Sequence, residues 1–396
     1  MMKKRNVLLV AGVFPPGVGG MQNYYYNLCR HSGHKITVFA SDYKGAPAFD
    51  AGQAFKVIRK PFLQDEKVSA WHTLRMIPQV GRVIKEENID ITVYGYILYG
   101  LIGWFQSVFR GRKYGVSVHG MDVLKLTRYA VLRSIVKAIL QRADAVIVNS
   151  AYVKKLMMEL GVKAERLQVV YPGVEEQYDR MEKDPALIRK HGLEGKYVLM
   201  TLGRLVGRKG FDMVIRAMPE IRKAIPDAVY LIVGGGPERE ALERLAKETG
   251  VSDCVVFAGR AADEDLVKYY NLCDVFVMPS RYIAAEGDVE GFGIVYMEAS
   301  SCGKPVIGGN SGGVVEAVLD GETGLIVDPS SAEAIAQAVI RLRENPALAE
   351  RLAETGYKRA KEQFRYGAIT RDFDVFLGEQ CGGAQEKALQ GRTRML

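Results

Sequence analysis

Cysteine is scarce: five residues in 396, Cys29, Cys254, Cys273, Cys302 and Cys381, and none of them forms a C-x-x-C pair. An odd, scattered set excludes a disulfide framework and a thiolate metal centre, and it points to a reducing, cytoplasmic setting. No apolar run reaches the 18 or more residues of a membrane span; the nearest candidate, residues 96–109, has 14. The apolar start from Asn6 to Val13 is too short for a secretory leader and has no small-residue cleavage site, so it reads as a first strand. A G-x-G-x-x-G fingerprint is missing too. Gly17, Gly19 and Gly20 depart from it and no acidic residue marks a dinucleotide ribose, which leaves the NAD reading weak. No Ser/His/Asp order suggests a hydrolase. Two D-x-D strings occur, Asp263 with Asp265 and Asp372 with Asp374. The first reads as acids in the first turn of a helix and the second as part of a tail helix, so no metal and no other cofactor is expected. The alternation of basic and aromatic residues seen in nucleic-acid modules is absent, and no nucleic-acid partner is expected.

What is present is ordinary in amount and uneven in placement. Hydrophobic residues make up 48% and charged residues 25%, the balance of a globular protein, and the length suits two domains better than one core. The net charge of +8 divides into +12 for residues 1–180 and −4 for residues 181–396. Only the first half therefore has the charge to meet an anionic surface.

Strand patterns alternate with helix patterns throughout, as in parallel sheets covered on both faces. The first half reads as strand Asn6 to Val13, a loop through Gly17, Gly19 and Gly20, helix Met21 to Arg30 and strand Lys35 to Phe39. Strands follow near Ile89 to Tyr94, at Tyr114 to Val118 and at Ala145 to Val148, with Ser150 capping the next helix. Glycines at a helix start let backbone approach a phosphate, although a tight turn explains them equally. His119, followed by Gly120 and Asp122, stands at the carboxyl end of a strand, where ligands of such sheets bind. A satisfied buried histidine and a helix-capping aspartate are the plainer readings. Residues 175–196, polar and broken by Pro185 and Gly192, read as a linker. A second series begins with strand Tyr197 to Leu202, which runs into Gly203 to Gly210 and places Arg204 and Lys209 beside a glycine loop; Arg208 reads as a solvated cation. Arg260 follows the strand Val255 to Phe257 as a further basic candidate. The closing helix spans Tyr366 to Glu379, and residues 381–396 read as a frayed tail.

The stretch from Glu286 to Gly303 organises the second half. Glu290 and Glu298 stand eight positions apart around Gly291-Phe292-Gly293, and Ile294 to Ser301 reads as a buried helix. With a start near Phe292, Glu298 lies roughly 9 Å along the axis, about the length of a diphosphate. The amides of Phe292, Gly293 and Ile294 would face an anion there, with hydroxyl-rich groups at the two carboxylates. A capping Glu290 and a solvated Glu298 remain the alternative.

Glu290-Gly-Phe-Gly followed by Glu298 resembles the E-x7-E motif of the retaining GT-B glycosyltransferases of family 4. The stretch VMPSRYIAAEGDVEGFGIVYMEAS resembles the phosphatidylinositol-mannoside mannosyltransferase branch, and the likeness extends from the first glycine loop to Asp328. The resemblance implies an α/β fold of two Rossmann-like doubly wound domains facing a cleft: residues 1–180 on the acceptor side, 181–365 for the nucleotide-sugar, and 366–380 crossing back as a helix. It implies retention, metal independence, Arg204 and Lys209 on the leaving diphosphate, Glu290 and His119 on the donor sugar, and Glu298 on the ribose. Gly19, Gly20, Phe292, Gly293, Ile294 and Arg260 become donor contacts and Asp122 an acceptor-side residue. GDP-mannose is the expected donor and a lipid-linked or glycan acceptor the expected partner. UDP-sugars with a soluble acceptor, or a nucleotide-sugar 2-epimerase of the same fold, stay as alternatives. The basic first half, with the apolar stretch 96–109 closed by Arg110, Arg112 and Lys113, implies peripheral attachment to an anionic membrane, with an ordinary core helix over 96–109 as the alternative.

Overall fold

The structure is a computed structural model that describes residues 3–17, 19–61 and 70–382. Val18 of the first glycine loop and residues 383–396 of the expected tail lie outside the described residues. The described chain forms two compact units: residues up to Gly173 together with those from Tyr366 on, and Val174–Arg365.

Each unit is built on one parallel sheet. In the first, β1 (Asn6–Ala11), β2 (Lys35–Ser41), β3 (Lys56–Lys60), β4 (Ile91–Tyr94), β5 (Tyr114–Val118), β6 (Ala145–Val148) and β7 (Leu167–Val169) lie in the order β3-β2-β1-β4-β5-β6-β7. In the second, β8 (Tyr197–Leu202), β9 (Ala228–Val233), β10 (Val255–Gly259), β11 (Val275–Met278), β12 (Val306–Gly309) and β13 (Leu325–Val327) lie in the order β10-β9-β8-β11-β12-β13. Helices cover both faces, so the central strands are buried along their whole length: β4, β5, β6, β9, β11 and β12 have no exposed residue. The chain order reverses beside β1 and beside β8. Between β1 and β4, and between β8 and β11, successive crossovers leave in opposite directions and open a crevice at the carboxyl ends of the strands. The glycine loop after β1, the Gly203–Gly210 loop after β8 and the Glu290 stretch after β11 all begin at these two points, and His119 follows β5, next to β4 in the sheet.

Three expectations change. The expected linker carries a helix, Pro185–His191, and belongs to the second unit: Asp184 caps it, and Lys183 pairs with Asp274 at 2.7 Å. Pro185 at the first helical turn and Gly192 in the left-handed conformation (φ 64°) are the start and stop of this helix, not loop breakers. The helix after Glu290 is Ile294–Ser301, which brings Glu298 to roughly 6 Å along the axis from its first residue. Most of residues 96–109 is core: Ile97 and Ile102 are fully buried, Tyr99 nearly so, and only Val108 and Phe109 are exposed. Lys113 is no surface cation either, since its Nζ donates to the carbonyls of Gln380, Cys381 and Gly382 at the end of the last helix.

That helix, Tyr366–Cys381, packs in the first unit on the helix Gly20–His31. Buried Asp374 fastens it, accepting from Ser32 Oγ at 2.5 Å and Gly33 N at 2.7 Å, while its carbonyl lies 3.0 Å from His34 Nε2. Asp374 of the second D-x-D string is therefore spent on packing. Removing its carboxylate takes away the acceptor of a half-buried hydroxyl and of a backbone amide, so Asp374→Ala should cost about 2 kcal/mol of local stability. Hydrogen exchange would show faster amides across Tyr366–Cys381 with β8 and β9 unchanged.

Candidate active site

In the second unit the glycine-rich turns bring charged side chains into one buried cluster. Gly293 precedes the helix Ile294–Ser301 with φ 89°, and a Cβ there would lie 2.5 Å from the Tyr296 ring, so only glycine admits this turn. The loop after β12 presses on the same turn: Gly313 N donates to Glu290 O at 2.9 Å, and a Cβ on Gly313 would fall 2.0 Å from Gly291 O. Glu290 is thereby held with its side chain 12% exposed. Lys209 Nζ reaches its Oε2 at 2.5 Å, and Arg208 Nη1 pairs with the same oxygen. Arg208 Nε also lies 3.1 Å from Asp288 Oδ1, a charge contact in which neither atom makes a hydrogen bond. Burial alone would push the Glu290 carboxyl up; Lys209 and Arg208 outweigh it and hold the group below its usual range. Burial pulls the Lys209 ammonium down, and Glu290 offsets this only in part. The two cations and two carboxylates sum to zero charge. Further along, the bidentate pair of Arg281 with Asp212, at 2.9 and 3.0 Å, and the bond from Arg281 N to Arg208 O tie the 281–290 segment to the loop after β8.

Glu298 stands apart from this cluster. Its Oε2 accepts from the Tyr270 hydroxyl at 2.6 Å, and burial raises its pKa to about 7. Arg204 is exposed and makes no hydrogen bond or ion pair with a described residue, and Arg260 is exposed beside the Gly235 backbone. Sequence reasoning took Arg208 for a solvated cation; the structure pairs it with Asp288 and Glu290 and leaves its side chain only 16% exposed. Asp288, two positions before Glu290, was the available signal, because a second buried carboxylate demands another cation. Tyr270 was missed altogether, as nothing in its helix marks it apart from other core aromatics.

In the first unit, the His119 Nε2 lies 2.7 Å from the Tyr25 hydroxyl, and both Tyr24 and Tyr25 set ring edges against the imidazole, with centroids at 5.4 and 5.6 Å. Burial lowers the His119 pKa to about 4, so the ring is neutral at physiological pH. Asp122 Oδ1 accepts from His119 N at 3.1 Å, and burial raises the Asp122 pKa to about 6. Asp122 Oδ2 and Asn149 Oδ1 are buried without a hydrogen-bond partner. Gly20 opens the helix Gly20–His31, and space around it is free: a Cβ there would meet nothing within 4 Å. Among the described residues no three His, Cys, Asp or Glu side chains gather as a metal site. Asp263 and Asp265 form a short turn before the helix Leu266–Leu272, with Asp265 paired to Lys268 at 2.6 Å.

Comparison with known proteins places this geometry. Residues 183–359 match the model for glycosyl transferases group 1 and residues 18–178 that for glycosyltransferase family 4. A GDP-mannose-dependent alpha-(1-6)-phosphatidylinositol monomannoside mannosyltransferase of Mycolicibacterium smegmatis is 36% identical over 96% of this chain and 99% of its own. A monoacylated-substrate counterpart from Corynebacterium glutamicum is 32% identical over 87% of this chain and 91% of its own. Among solved structures, sucrose-phosphate synthase from Thermosynechococcus elongatus superposes with a TM-score of 0.78 at 24% identity, covering 94% of this chain and 98% of its own. HepE of Anabaena, solved with UDP and glucose, also gives 0.78, at 20% identity over 95% of this chain and 100% of its own. The chain belongs to the group 1, family 4 glycosyltransferases and is a glycosyltransferase of the GT-B fold.

Proposed function

We propose that this enzyme transfers mannose from GDP-mannose to a phosphatidylinositol-mannoside-type glycolipid, with retention of configuration and without a metal. The observation that carries the donor half is the pair of carboxylates Glu290 and Glu298 bracketing a glycine-opened helix start with Lys209 alongside. A helix start favours an anion, Glu290 accepts hydroxyls of the transferred sugar and Glu298 those of the ribose. Because Arg208, Lys209, Asp288 and Glu290 already balance one another, a diphosphate needs further positive charge. Exposed Arg204 supplies it, and Lys209 follows charge that grows on the leaving phosphate as the glycosidic bond breaks. In a front-face route the acceptor oxygen bonds to the anomeric carbon on the face from which the nucleoside diphosphate departs, and the acceptor proton passes to that leaving diphosphate. His119 of the first unit is given the transferred sugar, the backbone at Gly19 and Gly20 a phosphate contact, and Asp122 the acceptor side. The donor and acceptor assignments rest on the relatives named above, whose names give GDP-mannose and phosphatidylinositol monomannoside.

Membrane attachment is part of the same reading. No described helix is long and apolar enough to cross a bilayer. Val108 and Phe109 are exposed next in the chain to exposed Arg110 and Arg112, and Tyr129 and Val131 next to exposed Arg128 and Arg133, all in the first unit, and each cation near anionic lipid contributes about 1 kcal/mol. The enzyme should transfer mannose to phosphatidylinositol mannoside in anionic vesicles faster than in neutral ones at low salt, with the same rate in EDTA. Transfer from UDP-glucose to soluble acceptors, with no response to GDP-mannose, would overturn the proposal.

Two residues give sharper tests. Lys209→Ala should lower kcat on the order of 100-fold, since its contact strengthens as the leaving group charges; it also leaves Glu290 with one cation fewer, so circular dichroism must accompany the kinetics. Glu298, with a pKa near 7, is neutral below that pH and ionised above it, and ribose hydroxyls donate to the ionised form. Titration calorimetry should therefore find GDP binding tighter as pH rises from 6 to 8, and this dependence should flatten in Glu298→Gln.

A further inference from the structure

The imidazole of His119 has two ring nitrogens, and the surrounding hydrogen bonds decide which one carries the proton. Tyr25 sits in the helix Gly20–His31 and is buried. Its hydroxyl donates to Gly95 O at 2.7 Å, and a carbonyl can only accept. A phenol has one hydrogen, so toward His119 Nε2, also at 2.7 Å, Tyr25 presents lone pairs alone. Two lone pairs at that distance repel. The contact is bonding only if Nε2 bears the hydrogen and donates. Ser117 Oγ, 3.5 Å from Nε2, is too far to compete. Gly95 keeps this register: a Cβ there would lie 2.9 Å from Tyr25 Cζ and 3.1 Å from its hydroxyl oxygen, so any other residue would push the phenol away. The histidine backbone is fixed too, by Asp122 Oδ1 on its amide.

We infer that Tyr25 is a positioning residue that locks His119 as the Nε2–H tautomer, leaving a lone pair on Nδ1 as the group offered to a ligand. A neutral imidazole has one N–H, so the choice at Nε2 dictates Nδ1. The consequence is specificity: the ligand atom that meets His119 must donate a hydrogen, as a sugar hydroxyl does, whereas a phosphate or carbonyl oxygen would be repelled. Placing that hydroxyl on the transferred sugar rests on the proposed function above; the tautomer does not. Burial supports the neutral ring, since it lowers the His119 pKa to about 4.

The test is nitrogen-15 NMR of the full-length protein labelled at its five histidines, with His119 assigned by its loss in His119→Gln. The wild type should show Nε2 protonated and Nδ1 bare, and Tyr25→Phe, with no acceptor at 2.7 Å, should move both nitrogens toward a mixture. Gly95→Ala, which keeps the hydroxyl but displaces it, should do the same. A protonated Nδ1 in the wild type, or an unchanged spectrum in Tyr25→Phe, overturns the assignment. In transfer assays Tyr25→Phe should lose about tenfold in kcat, the order of one hydrogen bond, with the acceptor KM little changed. If the tautomer stands and kcat does not move, it is the placement of His119 at the transferred sugar that is overturned.

Discussion

A carboxylate buried as deeply as Glu290 cannot stand alone. Taking a carboxylate out of water costs several kcal/mol, and one cation at about 4 Å returns about 4 kcal/mol at an effective dielectric near 20. The second unit answers with two, Arg208 and Lys209, on the same oxygen. Asp288 then balances Arg208, and Arg281 with Asp212 ties the segment carrying both acids to the loop carrying both bases. The cluster sums to zero charge and is held by its own ion pairs, and in the proposed reading such a fixed arrangement would stabilise developing charge without reorganising at the moment of reaction.

This cluster exists because of where the parallel sheet reverses. Lys209 comes from the loop after β8 and Glu290 from the loop after β11, two strands adjacent in the sheet yet separated by two intervening strands in the chain. Successive crossovers on opposite faces leave the carboxyl edge open there. Small residues then let the loops interpenetrate. Gly313 against Gly291 O is an approach that no Cβ would survive, and it sets the height at which Glu290 meets the cations.

Much of this was legible from the chain. The strands Tyr114–Val118, Ala145–Val148 and Tyr197–Leu202 coincide with the expected spans, because strands buried on both faces read as nearly continuous apolar runs. The glycine turn and the spacing of Glu290 and Glu298 were equally plain. What misled was polarity taken as exposure. Pro185 and Gly192 looked like loop punctuation but cap a helix. Arg208 looked solvated but is largely withdrawn from solvent and paired, and pairing with acids 80 or more positions away leaves no local pattern. The stretch 96–109 shows the converse error: Ile97 and Ile102 belong to the core, and sequence alone cannot tell an apolar face turned inward from one turned out.

The two units hold their key side chains by different physics. In the second, ionised groups are fixed by opposite charge, a strong but weakly directional interaction that suits a diphosphate whose own charge changes during reaction. In the first, His119 is kept neutral by burial, and its orientation comes from Tyr25, Gly95 and Asp122 through directional hydrogen bonds. In the proposed reading, which sets the transferred sugar beside His119, a charged imidazolium would oppose the positive character the sugar gains as its bond breaks, whereas a neutral ring would not and could still read the position of a hydroxyl. Burial lowers the basicity of His119 and raises that of Asp122 toward 6, so the same desolvation that quiets the histidine leaves the neighbouring carboxyl as the group that titrates first as the pH falls.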